Sequence, residues 1–293
     1  MTRQTTLRTS SDWLYGRHLD QDGKSGLRFH PAAEEEGLVF VRADLPGRPE
    51  VRCRPENLRS MPRWTALEEG GVEVHHTEHV LAALALCGVD NAVMEMDCSR
   101  VPMTAGFSSA AFCEALMKAG SRPLEAPRRV YTLKAPLFYL DSQRTTGEVS
   151  GQPSLADGRY VVGIPADRLA VSYVFHWSHL PSLPIGVAEY DESVPAAWQS
   201  FAGARSYLVQ TEAEAVREVL GPARMDVMML APHCSPALAQ EAARHKILDF
   251  VGDLMILGHP VRGRFAAFRT GHRIHHNLVR YLVENNLLET RRE

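Results

Sequence analysis

The run from His245 to Leu257, HKILDFVGDLMIL, constrains this chain more than any other stretch. Read at helical spacing, His245 and Asp249 fall at i and i+4 on one face, and Asp253 continues that stripe one turn later. Ile247, Leu248, Phe250, Val251, Leu254 and Met255 fill the positions between, so the helix belongs in a core. A polar stripe there is costly unless each group finds a hydrogen-bonding partner or a metal ion.

At 293 residues the chain exceeds the usual size of one domain, and two domains of roughly 150 residues are expected. A hydrophobic content of 45% and a charged content of 23% are ordinary for a globular protein, and a net charge of -3 gives no reason to expect nucleic acid as a partner. The opening MTRQTTLRTSSDWLYG has no apolar core of signal-peptide length, and no stretch approaches the ~20 apolar residues that span a bilayer. A cytoplasmic protein is the expectation. The cysteines at 53, 87, 98, 113 and 234 are odd in number and never form CxxC, which argues against a disulfide framework and a cysteine zinc site.

Residues 37 to 53 alternate and carry a Pro-Gly turn, so the first third reads as strand-rich. A helix starts near Glu78, with Leu81, Leu84 and Ala85 at helical spacing and Gly88 where a C-terminal cap belongs, and DNAVMEMD follows as a strand. PMTAGFSSAAFCEALMKAG reads as a loop entering a second helix, with Ser108 or Ser109 as N-cap. The run SRPLEAPRR, 121 to 129, separates helical from renewed strand pattern and marks the boundary between an N-terminal domain, 1–124, and a C-terminal domain, 125–293. Beyond it come strands in VYTLKAPLFYL and RYVVGIPADRLAVSYVFHW, a short helix in TEAEAVREVL, the HKILD helix, and a last helix in RIHHNLVRYLVENNLL. The sequences around His79 and His245 share one rhythm, a polar start with histidine, an apolar helix, a glycine and a strand, which suggests that the two halves are related.

HHTEH, residues 75 to 79, spells H-x-x-E-H, the inverted zinc-peptidase pattern. That pattern needs His75 and His79 on one helix, whereas Gly70, Gly71 and the alternation Val72, Glu73, Val74 describe a strand leaving a turn, and Thr77 suits an N-cap. Glu78 and His79 then sit together at a helix start. His79, His245 and Asp249 would supply three ligands and leave a fourth position to water, as in a catalytic zinc site, although hydrogen-bonded core histidines fit the same pattern. In GHRIHHN, His272 follows a glycine just after a strand, a loop position from which a side chain can enter a cleft.

Taken in order, E-H with its apolar helix and G-V-D-N, V-P-x-x-x-G, A-R-[ST]-aromatic, RHKILDFVGDLMILGH and G-H-x-x-x-x-N resemble the UDP-3-O-acyl-N-acetylglucosamine deacetylase family of lipid A biosynthesis. The likeness covers nearly the whole chain and is strongest from 244 to 277. It implies an α+β fold of two domains with related topology, each with helices packed on a sheet, and a site between them. It also implies zinc, with Fe2+ as the alternative, on His79, His245 and Asp249. Glu78 would be the general base and His272 the general acid, with Asp253 orienting it and raising its pKa. Lys246 and Tyr207 would contact substrate, and the Ser206 hydroxyl would help hold the oxyanion. The partner implied is an acylated UDP-amino sugar, met by a monomer with no transmembrane segment.

Three departures stand out. The family's G-x-G-L-H-T-G opening is WLYGRHLDQDG here; its P-I-M-D-G-S loop is PMTAGFSS, with Ala105 and Phe107 in place of the aspartate and serine; and the stretch from Ser206 to His245 is short. Another acetamido sugar as substrate, or a zinc-binding scaffold without turnover, are the alternatives these departures raise.

Overall fold

The structure, a computed structural model, describes residues 2–19, 21–61, 63–140, 158–194, 197–213 and 227–293. The α+β class expected from the sequence is what the chain adopts. In the first part, a five-stranded sheet runs in the order Leu14–Arg17, Lys24–Pro31, Ala92–Met96, Leu38–Arg42, Glu50–Arg52. Its central pair, Leu38–Arg42 and Ala92–Met96, is parallel, and every residue of Leu38–Arg42 is buried. A continuous LVFVR run fits such a strand, since parallel strands are covered on both faces. A three-stranded meander, Leu58–Ser60, Thr65–Glu69 and Val72–His75, leads into helix α1, Glu78–Leu86. Helix α2, Ala110–Ala119, packs on α1.

The second part is built on a seven-stranded mixed sheet whose central strand is Val261–Phe268. It pairs antiparallel with Tyr160–Ile164 and parallel with both Arg129–Leu133 and Leu169–Phe175. Helix α3, Ala197–Ala202, helix α4, Pro236–Leu254, and helix α5, His272–Glu284, belong to this part. Helix α4 starts well before His245, and the signal for it was present: Ser235 at the N-cap followed by proline in the first turn. TEAEAVREVL lies for its greater part outside the described residues.

Each half repeats the rhythm seen in the sequence. Helix α1 ends at Gly88, φ +65°, before a strand that pairs in parallel; α4 runs through a 3-10 turn to Gly258, φ +87°, before another. The two helices pack on each other, which the polar stripe on α4 requires. Contact is close at Gly252, where a Cβ would stand 2.1 Å from the carbonyl oxygen of Glu78. Residues Ser121–Pro127, the proline-rich run, form a strand antiparallel to Arg3–Leu7. Among the described residues no helix is long and apolar enough to cross a membrane.

Candidate metal centre and active site

Helix α1 brings Glu78 and His79 to its first turn, and α4 sets His245, Asp249 and Asp253 opposite them. Thr77 stands at the N-cap in helical geometry, φ -78° and ψ -18°, and makes no capping bond. Glu78 is held instead from the meander, where the backbone N–H of Thr65 donates to its Oε2 at 3.0 Å.

His79, His245 and Asp249 converge, all buried. Asp249 Oδ1 lies 3.3 Å from His79 Nε2 and 3.5 Å from His245 Nε2. These separations are long for hydrogen bonds, which favour about 2.7–3.2 Å. They match the edge of a tetrahedron, about 3.3–3.4 Å, around an ion with ligand bonds of about 2.0–2.1 Å. A carbonyl can only accept, so His245 donates Nδ1–H to Ala204 O at 3.0 Å and turns the lone pair of Nε2 towards Asp249. Burial pushes the pKa of His245 down to about 3, which keeps that imidazole neutral and able to ligate. Asp249 is charged: burial opposes this, but the Lys246 ammonium, whose Nζ donates to Oδ2 at 2.7 Å, holds its carboxyl well below the usual range. Two neutral-capable imidazoles and one ionised carboxylate at this spacing fit a divalent metal.

Around Asp253 the distances tell a different story. Its Oδ2 accepts Nδ1–H from His272 at 2.9 Å and from His275 at 2.8 Å, and its Oδ1 accepts the Thr65 hydroxyl at 2.6 Å. Since that hydroxyl proton is spent on Asp253, His276 Nε2–H is the donor in its 2.8 Å contact with Thr65 Oγ1. Every separation is a hydrogen-bond length, so this cluster orients protons. His272 itself is the first residue of α5 and not a loop residue; Gly271 is extended and serves as its N-cap. Burial alone would lower the His272 pKa, but Asp253 and then Asp249 bring it up to about 9. The imidazolium faces the His79, His245 and Asp249 triad, with Nε2 3.6 Å from Asp249 Oδ2.

A cavity of about 230 Å³ joins these groups, lined by Glu78, His79, His245, Asp249 and His272, with Lys246, Ser206, Tyr207 and Phe107 also on its wall. Tyr207 opens the strand Tyr207–Val209, and the Lys246 ammonium lies 5.3 Å from the centre of its ring. Ser206 is fixed through its backbone, donating N–H to Gly106 O at 3.0 Å and accepting from Met228 N–H at 2.8 Å. All nine residues singled out from the sequence therefore lie in or against one site. His75 does not: it ends the strand Val72–His75 and bonds to Glu73 and Trp64. The peptidase spacing is a coincidence of sequence.

A family model described as UDP-3-O-acyl N-acetylglycosamine deacetylase matches residues 4–284 of this sequence. The chain belongs to that family. Curated relatives carry the name UDP-3-O-acyl-N-acetylglucosamine deacetylase. The protein of Thermosynechococcus vestitus is 29% identical over 98% of this chain and 96% of its own length. That of Nitrosococcus oceani is 30% identical over 86% and 81%. The Phenylobacterium zucineum protein is 31% identical over 86% and 84%. Within this deacetylase family frame, reading the sequence missed Thr65, His275 and His276. Their signal was partly there, since His272, His275 and His276 fall at i, i+3 and i+4 on one helix face.

Proposed function

We propose that this chain hydrolyses the N-acetyl group of UDP-3-O-acyl-N-acetylglucosamine, releasing acetate and the free amine, in the deacetylation step of lipid A biosynthesis. The observation that carries the reading is the meeting, in one cavity, of a triad at metal-ligand spacing with a tethered carboxylate and a charged imidazole. Zinc held by His79, His245 and Asp249 would polarise the acetamide carbonyl and lower the pKa of water towards ~7. Glu78, steadied by the Thr65 N–H, accepts the proton of the attacking water as general base. The Ser206 hydroxyl helps hold the oxyanion. His272 then protonates the departing amine from Nε2, while its Nδ1–H stays on Asp253.

Lys246 and Tyr207 contact the substrate at the mouth. A second cavity of about 420 Å³ shares both residues and is lined by Arg63, Arg159, His176, His179 and Arg269 against one carboxylate, Glu212, a cationic excess that suits an anionic nucleotide. On this reading the chain divides at 124 and 125, with base and one ligand on the first part, and the enzyme works in the cytoplasm as a monomer.

The test is deacetylation of UDP-3-O-acyl-N-acetylglucosamine by zinc-loaded protein, beside Glu78→Ala and beside UDP-N-acetylglucosamine without the acyl chain. Turnover of the acylated substrate that falls by about 10²–10⁴-fold in Glu78→Ala is expected. Turnover restricted to the unacylated sugar would move the substrate elsewhere, and zinc binding with no turnover of either would speak for a scaffold. A second expectation concerns stability. Zinc at 100 times its Kd should raise the unfolding free energy by about 2.7 kcal/mol, because it binds only the folded triad, and a chelator should reverse this in a melting curve. An unchanged melting temperature in both conditions would remove zinc from the reading.

A further inference from the structure

His79 differs from His245 in how it is aimed. His245 is turned by its Nδ1–H bond to Ala204 O. His79 points Nε2 at Asp249, but its buried Nδ1 has no hydrogen-bond partner among the described residues. A ligating imidazole is ordinarily fixed by such a bond from its second nitrogen, so something else fixes this one.

Phe107 lies against it. The two rings meet edge to face, centroids 4.5 Å apart at 72°. The Phe107 ring also meets His76 at 6.1 Å and 76°, and His76 rests on Trp64 at 4.7 Å. Phe107 is thus in edge-to-face contact with two imidazoles. Its backbone is left-handed, φ +45°, a conformation that a bulky residue adopts only where its surroundings impose it. Those surroundings are visible: Phe107 N–H donates to Thr104 O at 2.9 Å, Gly106 O accepts from Ser206 N–H at 3.0 Å, and the Ser109 hydroxyl donates to the carbonyl of His79 itself at 2.8 Å. The loop is tied both to the ligand's own backbone and to the strand that carries Tyr207.

We infer that Phe107 is the positioning residue of the metal centre: its ring, packed edge to face on His79, holds Nε2 towards Asp249 and His245 in place of the hydrogen bond that His79 lacks. The inference rests on His79, His245 and Asp249 being the metal ligands. It makes zinc affinity depend on an apolar side chain that offers no ligand atom.

The test is zinc affinity of the purified full-length protein, measured by competition with a chromophoric chelator, for Phe107→Ala, Phe107→Leu, Phe107→Tyr and His79→Ala. Melting of each metal-free protein reports folding separately. Phe107→Ala should bind zinc about 10–100-fold more weakly while its metal-free form stays folded, and Phe107→Tyr, which keeps the ring, should remain within about threefold of the parent. If Phe107→Ala does not fold, Phe107→Leu, which keeps bulk but no aromatic face, takes its place and should weaken binding by about fivefold or more. Affinity within about threefold of the parent in the folded Phe107→Ala or Phe107→Leu protein, with His79→Ala much weakened, overturns the role of Phe107 alone. Parental affinity in His79→Ala overturns the metal-centre reading on which it stands.

Discussion

Gly252→Ala should push α1 and α4 apart and weaken the metal centre with them. The added methyl carbon would sit 2.1 Å from the Glu78 carbonyl oxygen, 2.9 Å from its carbon and 3.2 Å from Ala82 N. All three obstacles are backbone, so no rotamer change relieves the clash and one helix has to move. Overpacking of this kind costs about 1–3 kcal/mol, and the upper end is expected where main chain meets main chain. At about 2 °C per kcal/mol for a chain of this size, melting should fall by about 6 °C or more. The displaced segment carries Glu78 and His79 on one side and Asp249 and Asp253 on the other. Zinc affinity should therefore drop at least about tenfold, as it does when ligand support is lost. Melting and a zinc titration on the same preparation check this; a variant that melts and binds zinc like the parent would show that the helices have slack to give.

Asp253→Asn should cost about 10²-fold or more in kcat at neutral pH, through the loss of a protonated general acid. In the parent, burial works against charge on His272, and Asp253 followed by Asp249 overcomes it to bring the pKa up to about 9. An imidazole that is charged when folded serves as acid at neutral pH and loses that role as pH rises through its pKa. Bound metal adds positive charge beside Asp249, so the alkaline limb of the loaded enzyme should fall at or below pH 9. Removing the Asp253 charge should carry that limb down by about 1–3 units. The pH profile of kcat decides it, since a limb left in place would mean that another group sets it. The sign for stability is the same: with the folded pKa of His272 raised, its contribution is complete below the free-imidazole value of about 6.5 and is lost as pH climbs through about 9.

The polar stripe of α4 could be read from sequence because helical periodicity is local, and the same holds for Glu78 and His79 at the start of α1. Their meeting was read only from the chemistry of a shared ligand set and the family resemblance, since nothing local says that the two helices pack on each other through Gly252. The role of Thr65 was hidden for a related reason. It acts through a backbone N–H on Glu78 and a hydroxyl on Asp253, and neither pairing leaves a pattern along the chain. At 121 to 129 the proline-rich run that marks the boundary also carries a strand of its own. Pro123 lies opposite Thr5 and Pro127 opposite Arg3 in a two-stranded ribbon, where the unpaired outer edges tolerate residues without an N–H. Phe107 looked like the loss of a polar loop residue, and only its contact with His79 shows a task.

One consequence of the site's construction concerns how the protein is made. His79 and Asp249 are 170 residues apart in the chain. At about 5–20 residues per second, a ribosome needs roughly 10–30 s to synthesise the span between them. Through nearly all of that interval the nascent first part holds Glu78 and one imidazole of the triad, with neither His245 nor Asp249 yet made. With the proposed ligand set, metal capture would come among the last events in the birth of this protein, and cells starved of the ion should accumulate full-length chains awaiting it.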